Sequence, residues 1–461
     1  MGDPDHAPAG RRRWRTVLVA AAVMASLVGA SAVAYRVLGP AEVTSGATGD
    51  YPVEAPTARP GVIGTLAAAP LIVDGRVRVY AAKRQLRADA PVDARTQRSP
   101  LWSYRRWPEQ LVGVVAAGTT VVGRWSDGTL VAIDARTGQV RWRADGPGPE
   151  VAEYTGRRTG AATVYAPEGL FIGGDVVVVR SDVDLDTAGV VGVDLASGRR
   201  LWRLTTVPFG CRRADFTTVS GRYAVVDQCT GGREREVRFY DVRTGELDLA
   251  WRLPAGAAGK ILSGAPLGCR VGRSDCAAML IDIGGRGLGW LLRGPTPVPA
   301  PGLDTESPGA NVTRPRSPTS QATGGGIPLP VLVPTPDVGD VAVQGMPSRL
   351  TGARAADGRQ LWTWQPAGSK PENWAWVVAA EPGRVHLLTY DYWLVTVDTA
   401  TGAELSRFLF TYGRERTGWE DGLGYASDGF VTVERLAAGA GPRQPDDEYY
   451  FVAQPVLFAG T

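Results

Sequence analysis

Five stretches of this chain repeat one pattern: an apolar run, an aspartate or its equivalent, a glycine four positions on preceded by threonine, serine or aspartate, and a tryptophan eight positions on. LVAIDARTGQVRW ends at Trp142, VVGVDLASGRRLW at Trp202 and LTGARAADGRQLW at Trp362, while VRFYDVRTGELDLAW delays its ring to Trp251 and LVTVDTATGAELSRF loses it. The physics of each copy is a β-hairpin. Asp134, Asp194, Asp241 and Asp398 can accept backbone N–H bonds of the turn, and Gly138, Gly198, Gly245, Gly358 and Gly402 supply its positive φ, after which a second strand runs on. A further strand and tight turn precede each copy, as in TTVVGRWSDGTLVAID, so a unit holds three or four antiparallel strands. Positions 134, 194, 241, 354 and 398 are 60, 47, 113 and 44 residues apart, which places a degenerate unit in the long gap, over 276–294. Two more degenerate units lie around Trp102 and over 422–458. Seven or eight such units cannot bury their faces alone. The expected fold is an all-β propeller of four-stranded antiparallel blades over 62–461, with a pair of β-sandwiches as the alternative.

The amino terminus bears on compartment. Residues 1–15 carry Arg11, Arg12, Arg13 and Arg15, and 16–34 follow as nineteen uncharged residues, about 28 Å as a helix and close to the ~30 Å hydrocarbon core. Basic residues before this run orient 1–15 toward the cytoplasm and the rest outside it. The segment 16–35 therefore reads as a single transmembrane helix in the cell membrane. Ala30-Ser31-Ala32 and Ala32-Val33-Ala34 also fit signal cleavage, which would give a secreted protein instead. Residues 36–61, small, polar and proline-bearing, read as a flexible spacer.

Residues 36–461 carry 46 basic and 45 acidic side chains, a balance that gives no electrostatic reason to bind nucleic acid. His6 and His386 are the two histidines, which excludes a centre ligated by several histidines in the body. Four cysteines in an exported chain read as disulfides, and closing two local loops pairs Cys211 with Cys229 and Cys269 with Cys276. Residues 293–338 hold eleven prolines and read as an inserted loop of polyproline II character.

The repeat, as it stands in DARTGQVRW and DLASGRRLW, resembles the pyrroloquinoline-quinone-like (PQQ-like) repeat of the quinoprotein alcohol dehydrogenase-like β-propellers. The resemblance implies that Trp142, Trp202, Trp251 and Trp362 pack between neighbouring blades. For the enzymes of the superfamily it implies a vicinal disulfide beside the quinone, a calcium held by carboxylates and amides, and an aspartate base. No two cysteines here are adjacent, and no calcium-loop pattern stands in for them. The expectation is thus no catalytic residue, no metal and no cofactor. The chain looks more like the non-enzymatic exported members, which include the propeller lipoprotein of outer-membrane barrel assembly, although no cysteine follows its apolar run to accept lipid. A scaffold for a cell-envelope protein or ligand is the leading function, and an oxidoreductase using pyrroloquinoline quinone and calcium the alternative.

A candidate binding face follows from hairpin geometry. Aligning LVTVD (394–398) with LVAID (130–134) sets Tyr390-Asp391-Tyr392-Trp393 against the small turn Ser126-Asp127-Gly128-Thr129. With Trp374, Trp376, Tyr412 and Trp419, these rings are expected to gather on the face opposite the Asp-x-x-Thr-Gly turns. Ten of the fifty-four residues over 372–425 are aromatic, against 8% for the chain, and exposed rings of this kind mark binding hot spots. The competing reading is a degenerate blade that fills its seam with rings.

Overall fold

A computed structural model describes residues 19–26, 29, 41–95, 100–148, 159–180, 189–205, 212–228, 236–253, 261–283, 286–306, 330–346, 348–366, 375–413, 418–437 and 450–461. Within the apolar run, residues 19–26 and 29 are helical. No helix among the described residues is long and apolar enough to cross a membrane.

The described residues of the body form strands in seven hydrogen-bonded sheets, five of them four-stranded, one five-stranded and one nine-stranded. Each unit is an antiparallel meander in chain order. The first spans 70–107, the second 111–145, the third 170–205, the fourth 212–252, the fifth 261–306, the sixth 331–364, the seventh 375–409 and the eighth 419–460. The fourth and fifth share the nine-stranded sheet, joined where Thr217 and Thr218 pair in parallel with Asp275 and Cys276. First strands of successive units touch in order, from Leu111–Ala117 through Leu170–Gly173 and Arg212–Thr218 round to Trp419–Ser427. Meanders set side by side around their first strands make a β-propeller.

Burial explains why the hydrophobic pattern changes along a unit. In the second unit, Thr120–Trp125 is buried throughout and Thr129–Asp134 nearly so, because both faces lie against neighbouring units. Its fourth strand, Val140–Asp145, alternates and turns polar residues to solvent. Inner strands accordingly read as continuous apolar runs and outer strands as period-two patterns.

Chain from before the first unit closes the ring. Two strands precede that unit, β1 (Ala41–Ser45) and β2 (Gly61–Leu66). Strand β2 is the outermost strand of the eighth unit and pairs with Val456–Gly460. Strand β1 pairs antiparallel with Trp102–Trp107 and gives the first sheet its fifth strand. Residues 41–61 thus lie docked on the body, where composition predicts a flexible spacer. Val43 and Thr44 favour a strand, and the edge of Trp102–Trp107 offers unpaired backbone groups that β1 satisfies. The proline-rich stretch is likewise woven in at its ends. Val298–Pro299 and Thr305–Glu306 pair with Arg286–Leu291, and Val331–Thr335 opens the sixth unit; residues 307–329 lie outside the described residues.

Candidate functional site

The repeated tryptophans occupy the seams between units. A register shift recurs between third and fourth strands, at Val140/Trp142, Gly192/Val193, Phe239/Tyr240, Gly352/Ala353 and Thr396/Val397. Such a bulge re-aims the neighbouring side chain. Trp102, Trp142, Trp202 and Trp362 each donate their indole N–H to the next unit, to the carbonyls of Ala135, Leu195, Val242 and Thr399, over 2.7–2.8 Å. Every acceptor is the residue just after the turn aspartate. A Cβ added at that turn's glycine would overlap the tryptophan within 2.7 Å, at Gly138, Gly198, Gly245 and Gly402. Their φ values lie at 71–75°, so the position demands glycine both for conformation and for space.

The seam between the fifth and sixth units is made differently. The carbonyl equivalent to those acceptors in the sixth unit is that of Ala355, and it takes the backbone N–H of Gly302 at 3.1 Å, from a 3₁₀ turn, Pro301–Leu303, of the fifth unit. A Cβ at Gly358 would therefore meet Pro301 at an ordinary 3.6 Å. Trp251, set late in its repeat, meets the Trp290 ring of the fifth unit edge-on with centroids 4.6 Å apart.

The aspartates sit at these turns. Asp241 Oδ1 accepts the amides of Arg243 and Thr244 at 2.8 Å, and Asp398 Oδ1 those of Ala400 and Thr401. Asp194 Oδ1 accepts Ser197 N–H at 2.7 Å. Burial raises the Asp134 carboxyl, but hydrogen bonds from Arg136 and Arg141 outweigh that and hold it well below the usual carboxylate range. Where Arg354 replaces the aspartate in the sixth unit, Asp357 takes over, accepting Arg359 N–H at 3.0 Å and pairing with the Arg354 guanidinium at 2.9 Å.

The centre of the ring is covered from both ends by the chain itself. The Cys269–Cys276 disulfide is formed and closes a short loop. That loop lies over the first strands of four other units. Ala116 and Ile172 donate their amides to the Gly272 and Arg273 carbonyls at 2.8 Å, and Thr217 Oγ1 donates to the Ser274 carbonyl at 3.0 Å. A Cβ at Gly272 would lie 2.6 Å from the Leu71 side chain. At the other end, a single-turn helix, α1 (Ala161–Tyr165), contacts the first, second and eighth units. The Tyr165 hydroxyl donates to the Pro70 carbonyl at 2.9 Å, its ring stacks on Tyr425, and the Thr159 hydroxyl donates to the buried Glu434 carboxylate. Burial pushes the Tyr165 hydroxyl well up. Neither cover carries a signal in the repeat pattern. Cys211 and Cys229 lie outside the described residues.

The candidate aromatic face divides. Trp419 is 4% exposed and belongs to the seam between seventh and eighth units, because Tyr392 packs on it with centroids 4.8 Å apart. The Tyr392 hydroxyl donates to the Trp419 carbonyl at 3.1 Å and accepts Gly418 N–H at 2.8 Å. Tyr392 stands where the second unit has Gly128 and holds φ at 65°, a left-handed position that costs a non-glycine residue about 1–2 kcal/mol. The two hydrogen bonds and the ring contact offset that strain. Trp376 Nε1 donates to buried Asp421 at 3.0 Å, and Trp393 packs against the core of the sixth and seventh units. Tyr390 and Tyr412 stay 62% and 45% exposed. Trp374 lies outside the described residues. Among the described residues no group of three or more His, Cys, Asp and Glu could hold a metal ion.

Two stretches of the sequence, 6–164 and 97–267, match the family described as outer membrane protein assembly factor BamB. Among solved structures, BamB from Moraxella catarrhalis is 13% identical, with 88% of this chain and 98% of that chain covered, at a TM-score of 0.43. A quinohemoprotein alcohol dehydrogenase from Comamonas testosteroni is 14% identical over 90% of this chain and 76% of its own, at 0.40. A europium-containing methanol dehydrogenase is 13% identical over 87% and 86%, at 0.41. No curated protein matches the sequence.

Proposed function

Because the chain belongs to the BamB family of PQQ-like repeat propellers, we propose that it is an eight-bladed, membrane-tethered propeller outside the cytoplasm that binds a cell-envelope protein or ligand without chemistry of its own. The eight meander units support the blade count. The apolar run 16–34, with arginines before it, supports the tether and its direction. One observation carries the non-catalytic reading: the ring's centre is packed by the 270–274 loop at one end and by α1 at the other.

The quinoprotein alternative needs adjacent cysteines, a carboxylate and amide set for calcium, and an aspartate free to act as base. Cys269 and Cys276 are separated by seven positions and bridge two strand ends. The repeated aspartates Asp134, Asp194, Asp241 and Asp398 are engaged in turn hydrogen bonds. These cysteines and turn aspartates therefore do not supply the donor set of a quinone with calcium. Titrating the chain with pyrroloquinoline quinone and calcium, followed by absorbance and by dye reduction with alcohols and sugars, should give no saturable uptake. A stoichiometric complex that reduces dye in the presence of an alcohol would overturn the reading.

A further inference from the structure

We propose that the propeller lies on the bilayer with one defined face, the one opposite the Asp-x-x-Thr-Gly turns, and that Lys83, Arg84 and Trp107 enter the lipid headgroup layer there. The inference rests on the tethered reading above and names the partner of this face as the lipid surface. It starts from β1. That strand is locked in register with Trp102–Trp107, Ala41 opposite Trp107 and Ser45 opposite Ser103. Its Glu42 is paired with Arg143 at 2.6 Å and with Arg106 at 3.3 Å. The beginning of β1 is therefore fixed beside Trp107, the point where the fourth strand of the first unit leaves the sheet. The turn between second and third strands of the next unit lies at the same end, since Arg106 pairs with Asp127 at 2.8 Å. The other end of β1 meets the Asp-x-x-Thr-Gly turns, where Ala47 donates its amide to the Thr137 carbonyl at 2.9 Å.

Chain length then selects the face. Six residues, 35–40, separate Ala34 from Ala41, a reach of about 20 Å at full extension. Running back along β1 to the Asp-turn face would consume roughly 17 Å of it and leave almost nothing to meet the membrane. The opposite face needs no such detour.

The side chains beside Ala41 suit headgroups. Trp107 is 39% exposed, and the Arg84 guanidinium lies over its ring, 4.1 Å from the centroid. Arg84 Nε also donates to the Pro108 carbonyl at 3.0 Å, which fixes the pair on the surface. Lys83 and Arg105 are exposed beside them, and Lys83, Arg84 and Arg105 have no carboxylate partner among the described residues. Exposed tryptophan with basic residues is the composition found at membrane–water boundaries. Tyr390 and Tyr412 are exposed on the seventh unit and the link after it, at this same face.

The test is amide hydrogen exchange of the full chain in nanodiscs of phosphatidylglycerol and phosphatidylethanolamine, compared with the same chain in a neutral detergent. Exchange should slow several-fold at residues 83–85, 109–110 and 391–393, and stay unchanged at the turns ending in Gly138, Gly198 and Gly245. The variant Lys83→Glu, Arg84→Glu, Trp107→Ser should lose the slowing near position 84 while remaining in the disc. Protection of the Asp-x-x-Thr-Gly turns, protection of neither face, or unchanged protection in the variant would each overturn the assignment. Flotation separates the two levels: a chain that floats with the discs but shows the wrong face refutes the orientation alone, whereas a chain that does not float refutes the tether and the orientation with it.

Discussion

The seam geometry makes a prediction that two substitutions and a control can check. Gly245 has φ 72°, and a Cβ there would sit 2.7 Å from Cγ and Cδ2 of Trp202. Gly245→Ala therefore combines left-handed strain of about 1–2 kcal/mol with overpacking of about 1–3 kcal/mol. Gly221 has φ 75° with nothing within 4 Å of its Cβ position, so Gly221→Ala reports the strain alone. Trp202→Ala empties a seam and strands the Val242 carbonyl, for about 3–5 kcal/mol. In that background the overpacking at Gly245 disappears, and the double-mutant cycle should return a coupling of about 1–3 kcal/mol. The assay is guanidinium unfolding, backed by hydrogen exchange across 236–252, since a chain of many units need not unfold in one step. If Gly245→Ala costs no more than Gly221→Ala, or costs the same with and without Trp202, the ring does not rest on that turn and the account of the seams fails.

Two further outcomes follow from named contacts. Burial raises the Asp134 carboxyl and the hydrogen bonds from Arg136 and Arg141 hold it low in spite of that, so its stabilisation is fully present above the unfolded value of about 3.9 and is lost as pH falls toward the folded value; Asp134→Asn should flatten the acid limb of a stability–pH curve, and an unchanged limb would place the acid sensitivity elsewhere. Removing the 269–276 bridge with Cys269→Ser and Cys276→Ser should cost about 2.5 kcal/mol by loop-closure entropy and speed exchange at Ala116 and Ile172, whose amides bond to the loop; wild-type protection at both would show that the loop holds without its bridge.

What was legible in the sequence was whatever rests on turn chemistry. Asp241 and Gly245 announce a hairpin because a carboxylate and a positive-φ residue are needed at fixed spacing, and the same spacing carries the tryptophan to the next unit. The sixth repeat could be read although Arg354 has replaced its aspartate, because Asp357, Gly358 and Trp362 keep the spacing. What was not legible depends on partners distant in sequence. AEVTS is too short and too polar to stand out as a strand, and β1 exists because the edge of Trp102–Trp107 is available about 60 residues later. Helix α1 has five residues, too few to stand out as a helix in the sequence, and Pro70, Tyr425 and Thr432 hold it in addition to its own turn bonds. The aromatic excess over 372–425 was visible, but composition cannot say that Tyr392 and Trp419 face each other while Tyr390 and Tyr412 face solvent.

The arrangement of β1 and β2 also separates two mechanical duties within one short stretch of chain. Ring closure belongs to β2, which pairs with Val456–Gly460 in the eighth unit. Between the two strands, residues 46–60 cross the Asp-turn face, held by Thr48 N–H on the Leu101 carbonyl and by the Tyr51 hydroxyl on Asp74. Burial, with the Asp74 charge, pushes that hydroxyl up to about 12, so loss of the hydroxyl proton weakens the contact only above its ordinary value near 10. A pull on the amino-terminal side of Ala41 reaches β1 first, and when it is directed along the strand axis it loads the five-residue ladder with Trp102–Trp107 in shear, so that the ladder bonds share it. The Glu42 ion pairs with Arg106 and Arg143 add to that resistance. Had the chain entered directly at β2, the same pull would act on the strand that keeps the ring closed. Placing a separate strand ahead of it lets the amino terminus be restrained without loading the closure of the propeller.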